Sequence, residues 1–322
     1  MKITGRIGLG VILGILCLSG NAQKKQADFI KDLLYAQCKG VFKPADKPST
    51  ITQKEYAFPW SKTAKIEKTS LEAALDSLMG GISCSKSGDE VKVQSKFPAN
   101  VDVDSKLFSM SIRSISLQNE KGMAVSLDTS MNFVSFGSEF HSSFETDSSG
   151  NTISTNTKRQ TVSRSVGIKN AAKSIKGSLA ITCCIVDGYD YVRIQPSDAG
   201  KEISFGGVKL KVLSVKGQVA AIKVVEGGIN FDYLVADSNN EPYMGMSSKL
   251  SFAQQDYDFF SMPNAFDKAT FDAYYISNKE RMLSKDAVRD VIVVKGAGSI
   301  GNLYLYKPAS KVTRRAEVAV NL

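Results

Sequence analysis

Two hydrophobic periodicities divide the chain. In the stretch 26–38, Phe29, Ile30, Leu33, Leu34 and Gln37 recur at three-and-four spacing with polar residues opposite, which predicts an amphipathic helix ending near Lys39-Gly40. A second helix is predicted where Leu71, Leu75, Leu78 and Met79 form a stripe. Thr69-Ser70-Leu71-Glu72 has the form of a capping box at its start, and Gly80-Gly81 ends the pattern. Between them, the prolines at 44, 48 and 59 mark an irregular connection, with Trp60 placed to plug the helix pair.

After about Pro98 the period falls to two, and turn residues recur at intervals of about eight to twelve, the pattern of a sandwich or barrel. Segments 112–117 and 123–127 flank a hairpin turn at 119–122. Segments 133–144 and 152–166 enclose a second turn at 147–150, and 179–194 reads as a hairpin about Asp187-Gly188, a dipeptide suited to positive φ. Beyond a boundary at 196–200, strands are predicted at 203–205, 208–215, 219–225 and 231–236. The expected fold is mainly β: tandem immunoglobulin-like antiparallel β-sandwiches preceded by a short helical N-terminal segment. The expected division is a signal peptide at 1–22, a helical and irregular segment at 23–98, and sandwiches at 99–198 and 199–322. One larger sandwich is the alternative, and the likeness is one of pattern only, since the Cys-Trp-Cys signature of antibody domains is missing.

The N-terminus sets the expected compartment. Lys2 and Arg6 without an acid, the apolar run 7–18 and the small residues 19–22 follow the order of a secretory signal peptide, with cleavage expected after Ala22. The run is short of the ~20 residues of a spanning helix, and Leu16 is too bulky to precede an acylated Cys17. The mature chain is therefore expected to be exported to the periplasm, the outer surface or the medium, with no membrane span. Of 41 basic and 32 acidic residues, cleavage leaves 39 and 32, and this excess resides in 24–68 and in the tail from Lys311. It reads as solvated lysines. Without interleaved aromatics it is not a nucleic-acid surface, so an envelope protein or a glycan is the expected partner.

Candidate chemistry is sparse. A single histidine, His141 on a predicted strand, leaves no base for a triad or a thiol nucleophile. Gly296-Ala-Gly298-Ser-Ile-Gly301 matches a dinucleotide fingerprint, but the alternating Leu303-Tyr304-Leu305-Tyr306 follows where a helix is required, so no cofactor is expected. Asp237, Asn239 and Glu241 begin like a calcium loop, yet Pro242 occupies the obligatory glycine position and a turn is predicted instead of a metal site. Ser83-x-x-Lys86 follows a helix rather than opening one, which fails the acyltransferase pattern. Cys183 and Cys184, adjacent on a strand, point to opposite faces; Cys38 and Cys84 are the candidate disulfide, with buried reduced thiols as the alternative. Asp256, Tyr257, Asp258, Phe259 and Phe260 combine acids and aromatics suited to sugar hydroxyls or a protein partner. The simpler reading is a half-buried strand with Tyr257 and Phe259 inward.

Two functions remain. The favoured one is an exported, non-enzymatic protein with a binding, adhesion or structural role; the alternative is an exported glycan-directed hydrolase with carboxylates on sandwich loops. The hydrolase requires a cleft with two carboxyl groups roughly 5–10 Å apart.

Overall fold

The computed structural model describes residues 20–43, 52, 58–63, 67–99, 101–128, 134–146, 152–169, 172–243 and 248–322. Three helices lead: α1 (Gly20–Phe42), α2 (Pro59–Thr63) and α3 (Lys68–Gly80). Twelve strands follow: β1 (Ser83–Ser87), β2 (Glu90–Lys96), β3 (Phe108–Ser114), β4 (Gln118–Asn119), β5 (Leu127–Asp128), β6 (Ser135–Thr146), β7 (Thr152–Ile168), β8 (Ile175–Ile194), β9 (Glu202–Phe205), β10 (Val208–Lys216), β11 (Val219–Glu226) and β12 (Asp232–Ala236). The last elements are β13 (Ser248–Phe252), α4 (Gln254–Phe260), α5 (Lys268–Leu283), β14 (Val291–Lys295) and β15 (Asn302–Asn321). The fold is mainly β, and its described strand pairs are antiparallel. The chain forms two units that interleave in sequence. One comprises 58–189 and 308–322, the other 190–307 with the residues up to 57. The division falls inside β8 and inside β15.

In the 58–189 unit, β1, β2, β7 and β5 form one sheet, with β6 also on β7; β3 and β4 pair with β8 in another. Strict alternation builds the core. Val91 and Val93 of β2 point inward with Val162 and Val166 of β7, and meet Met110 and Ile112 of β3 and Ile181 and Cys183 of β8. Helix α3 adds Leu71, Ala74, Leu75 and Leu78, one face at helical spacing. The predicted capping box does not form: the N-cap is Glu67, without a side-chain cap bond. Glu72 faces Arg314 at 3.7 Å, and Arg314 also holds Asp76 at 2.5 Å, so the carboxylate is engaged elsewhere. At the other end Ser95 Oγ donates to Leu78 O. Trp60 lies in α2, stacked on Phe58 at 4.9 Å.

The hairpin predicted around 119–122 is formed: Gln118 bridges Ala124, Asn119 N donates to Met123 O and Val125 N to Leu117 O, and Asn119 Oδ1 accepts from the amides of Lys121 and Met123. Beyond this short pairing its arms also join different strands, β4 pairing with β8 and β5 with β7. The β6–β7 hairpin is formed over the full register from Ser135↔Ser163 to Thr146↔Thr152; its turn lies outside the described residues. The hairpin expected at Asp187-Gly188 is replaced by uninterrupted strand, since β8 runs 20 residues through it. Gly188 serves close approach instead of a turn: a Cβ there would lie 2.5 Å from Ser310 Oγ.

In the 190–307 unit the sheet order is β13-β14-β11-β10-β9, and β12 pairs with Asn302–Tyr306 of β15. Strands β9 to β12 fall where the alternation predicts. Sheet β14 reads Val-Ile-Val-Val because it is covered on both sides. Ile292 and Val294 pack with Leu210, Ile222 and Leu303. Val291 and Val293 face a helical layer made by α1, α4 and α5. Helix α1 therefore belongs to this unit rather than pairing with α3, which lies in the other. Its stripe of Leu34, Cys38 and Val41 is buried against Phe252, Phe260 and Phe271. Lys295 Nζ closes its C-terminus, donating to Gly40 O at 2.7 Å and Lys43 O at 2.8 Å. Among the described residues, no helix is long and apolar enough to cross a membrane.

Candidate functional site

The site with the most open chemistry lies within the 58–189 unit, along β3. Alternation turns Phe108, Met110 and Ile112 inward and exposes Ser109, Ser111 and Arg113. Pairing with β8 fixes the backbone. Val186 N donates to Leu107 O and Ile115 N to Ser178 O, so the odd-numbered residues exchange hydrogen bonds with β8. The N–H and C=O groups of Phe108, Met110, Ile112 and Ser114 consequently face away from it. β3 ends its sheet: among the described residues no strand pairs with this outer edge. A groove of about 810 Å³ runs beside it.

Val125, Leu127 and Val134 form the apolar wall of the groove, and Ser105, Ser126 and the β3 serines supply hydroxyls. Arg164 enters from β7. Its side chain is buried and its Nη1 donates to Met110 O, supplying one edge carbonyl with the kind of donor a neighbouring strand would bring. Burial pushes its guanidinium pKa down from the usual value. Among the described lining residues there are two guanidiniums, Arg113 and Arg164, and no carboxylate, imidazole or thiol. The sequence reading passed over this site, because a strand edge is created by tertiary pairing and leaves no local motif. Its one sequence signal is the Ser-Met-Ser-Ile-Arg-Ser alternation of 109–114.

The aromatic-acid segment is not a strand. Asp256, Tyr257, Asp258, Phe259 and Phe260 lie on α4, whose 3.6 period buries Asp256 together with Phe260, where the alternation predicts an exposed acid; Asp258 is exposed, as predicted. Arg281 Nη1 donates to Asp256 Oδ2 at 2.7 Å, and Tyr274 OH donates to Asp256 Oδ1 at 2.8 Å. Arg281 Nη2 reaches Asn278 Oδ1 at 2.9 Å. Phe259 stacks on Tyr274 at 3.7 Å. Burial, then the Asp256 hydrogen bond, push the Tyr274 phenol up to about 12, so it remains a donor at neutral pH. These contacts tie α4 to α5 and occupy the carboxylate that a ligand would need.

The remaining motifs resolve into structure. Gly296, Gly298 and Gly301 precede β15 and make room: a Cβ at Gly298 would stand 2.5 Å from the Tyr243 ring, and one at Gly301 would overlap the backbone of Asp237 and Ser238. Gly301→Ala is expected to cost about 2 kcal/mol, read as a fall in urea midpoint; an unshifted midpoint would show that this loop is free to move. Asp237 Oδ1 accepts from the amides of Asn239 and Glu241, closing a turn on itself. Among the described residues no group of three or more His, Cys, Asp or Glu could hold a metal. His141 stands exposed on β6, 3.8 Å from Glu139. Ser83 and Lys86 lie on β1, not in a loop.

The Cys38–Cys84 disulfide is not formed: Cys38, Cys84, Cys183 and Cys184 are free thiols. Cys38 sits in the helical core of one unit and Cys84 on β1 of the other. Cys183 is buried and Cys184 only partly so, as opposite faces of a strand require. Burial, then the Asp256 charge, push the Cys38 thiol up to about 12. Burial, then Cys184, do the same to Cys183. In the folded chain at pH 8, Cys38 and Cys183 are expected to resist iodoacetamide for hours and to alkylate within minutes in denaturant, measured by peptide mass spectrometry. Because both folded-state values lie above the ordinary 9.0, the folded state retains protons that the unfolded chain loses. Stability should therefore decline as pH rises from about 9 to 12. Rapid native alkylation of Cys38, or a Cys38–Cys84 crosslinked peptide in a non-reducing digest, would contradict the assignment.

No protein-family model, curated protein or solved structure matches this chain.

Proposed function

We propose that the chain is an exported, non-enzymatic binding protein of the cell envelope or extracellular space, with its ligand seat in the groove along β3. The observation that carries this reading is the lining: an apolar wall, serine hydroxyls and arginine beside a strand edge with which no described strand pairs. Few convergent polar groups on an apolar wall suit recognition. The described lining residues offer no carboxylate, imidazole or thiol for general acid-base hydrolysis, which favours the binding reading. Two sheets meeting in one core support an immunoglobulin-like sandwich for the 58–189 unit, and the charged, apolar and small-residue order of 1–22 supports export.

The test is a fluorinated-fragment screen by NMR on the full chain, with binding mapped by amide shifts. Hits are expected to perturb Ser109, Ser111, Ser114 and Leu127 and to disappear in Ser111→Trp, which fills the groove. Hits that map elsewhere, or that survive Ser111→Trp, overturn the assignment. Export predicts a mature N-terminus at Gln23 in protein recovered from the source cells, and an intact Met1 would refute it.

A further inference from the structure

We infer that the outward face of β3, β8 and β15 in the 58–189 unit binds an acidic polysaccharide, whose carboxylates meet Lys176, Lys311, Arg315 and Arg113. The face shares Ser109, Ser111 and Arg113 with the groove lining, while the strands β8 and β15 carry the rest of it.

The pairings build this face. The β3–β8 register sets Ser109 opposite Cys184, Ser111 opposite Thr182 and Arg113 opposite Ala180. Strand β15 flanks β8 on its other side. Ile175 and Leu322 exchange backbone hydrogen bonds and Thr313 Oγ1 donates to Cys184 Sγ at 3.4 Å, so one unbroken register brings Arg315 beside Thr182 and Glu317 beside Ala180. Met110, Ile112, Ile181, Cys183, Val312 and Val320 fill the core on the inward side. Alternation therefore turns Lys176 of β8 and Lys311, Arg315 and Glu317 of β15 outward.

The face carries an uncompensated positive charge. Lys176, Lys311, Arg315 and Arg113 are all exposed. Arg314, of the inward parity, is held by Glu72 and Asp76 of α3, whereas none of the four outward cations forms an ion pair with a described residue. Glu317 is the one outward carboxylate among the described residues of these strands; Asp187 has the parity of Ile185, and its Oδ1 is buried. Lys311 and Arg315 stand about 13 Å apart along β15, and Arg113 lies two strands away, about 10 Å across the sheet. Cations so spaced cannot close on a single small anion. They suit a chain that presents charges at intervals.

The floor between them selects the kind of chain. It consists of Ser109, Ser111, Ala180, Thr182, Cys184 and Thr313, whose hydroxyls can exchange hydrogen bonds with those of a sugar. No aromatic ring is present on this floor to stack a nucleobase, and no branched aliphatic side chain to enter a membrane interface or to centre a protein–protein contact. Arginine adds paired N–H donors that match a carboxylate.

The probe is fluorescein-labelled oligogalacturonate, titrated into the full chain by fluorescence anisotropy, with dextran of the same length as the neutral comparator. Oligogalacturonate is expected to bind at least tenfold more tightly than dextran, and to weaken about tenfold from about 50 to about 200 mM salt. Lys311→Gln combined with Arg315→Gln should weaken it at least tenfold. Lys92→Gln combined with Lys216→Gln, which removes two exposed lysines elsewhere, should change it less than twofold. Glu317→Gln should tighten it about twofold. Should the first double variant fail to fold, amide shifts in the wild type decide: oligogalacturonate must move Thr182, Thr313 and Arg315. Equal losses in the two double variants, or shifts that map elsewhere, overturn the inference. So does binding of phosphatidylglycerol vesicles or duplex DNA where oligogalacturonate does not bind, since the face would then serve a membrane or a nucleic acid. Fragments that map to the groove without any oligogalacturonate binding overturn this inference and leave the groove standing. Oligogalacturonate binding that depends on Lys311 and Arg315, in a chain that binds no fragment, upholds the face and overturns the groove alone.

Discussion

Phe260→Ala is expected to destabilise the 190–307 unit by about 4 kcal/mol, the upper range for deleting a buried aromatic ring. Phe260 is 2% exposed. Its ring lies 5.6 Å from Phe252 of β13 and 5.7 Å from Phe42 of α1. Phe266 stands at 5.8 Å and Phe271 of α5 at 6.2 Å. Four separate segments therefore converge on one side chain, and none can follow the lost ring without leaving its other contacts. The sole tryptophan, Trp60, belongs to the other unit, so near-ultraviolet circular dichroism from the Phe and Tyr cluster is the appropriate signal. With a urea slope of about 2 kcal/mol/M, the midpoint should fall by roughly 2 M. A fall below about 0.5 M would mean that the helical layer is not packed on the sheet as described.

The second large effect concerns the charge beneath that layer. Arg281→Met is expected to cost about 3 kcal/mol, because it leaves the Asp256 carboxylate, 8% exposed, without its countercharge. The Arg281 side chain is 30% exposed and makes its remaining bonds to Tyr274 and Asn278 near the surface. Losing those alone would cost little. The penalty thus arises from the stranded acid, and the pair should be rescued by removing it. Asp256→Leu combined with Arg281→Met is expected to recover at least half of the loss. If the double variant is less stable than Arg281→Met, the carboxylate has a favourable role beyond the pair, and the tie between α4 and α5 has been misjudged.

Legibility of the fold in the sequence depended on whether a signal was local. Strands β9 to β12 lie close to their predicted positions because each is bounded by glycine turns such as Gly206-Gly207 and Gly217, whose positive φ angles are set within the turn itself. The stripe of α3 was equally readable. Asp187-Gly188 misled because the same dipeptide that suits a tight turn also suits a strand pressed against a neighbour, here at Ser310. Segment 254–260 misled through its alternating acids and aromatics, whereas the burial of Asp256 and Phe260 follows a spacing of four. Helix α5 was overlooked although Phe271, Tyr275 and Met282 carry the helical interval. The β3 groove was not readable at all, since an edge exists only by virtue of the pairings that other strands make.

The passage of β8 and β15 through both units bears on biosynthesis. Ile175 and Leu322 exchange backbone hydrogen bonds, and Arg314 binds Asp76 across 238 positions of sequence. The 58–189 unit cannot close its second sheet until the ribosome has added the segment 308–322. Contacts of such sequence separation form slowly, after long loops have been brought together. Through most of its synthesis the nascent chain thus lacks a completed 58–189 unit.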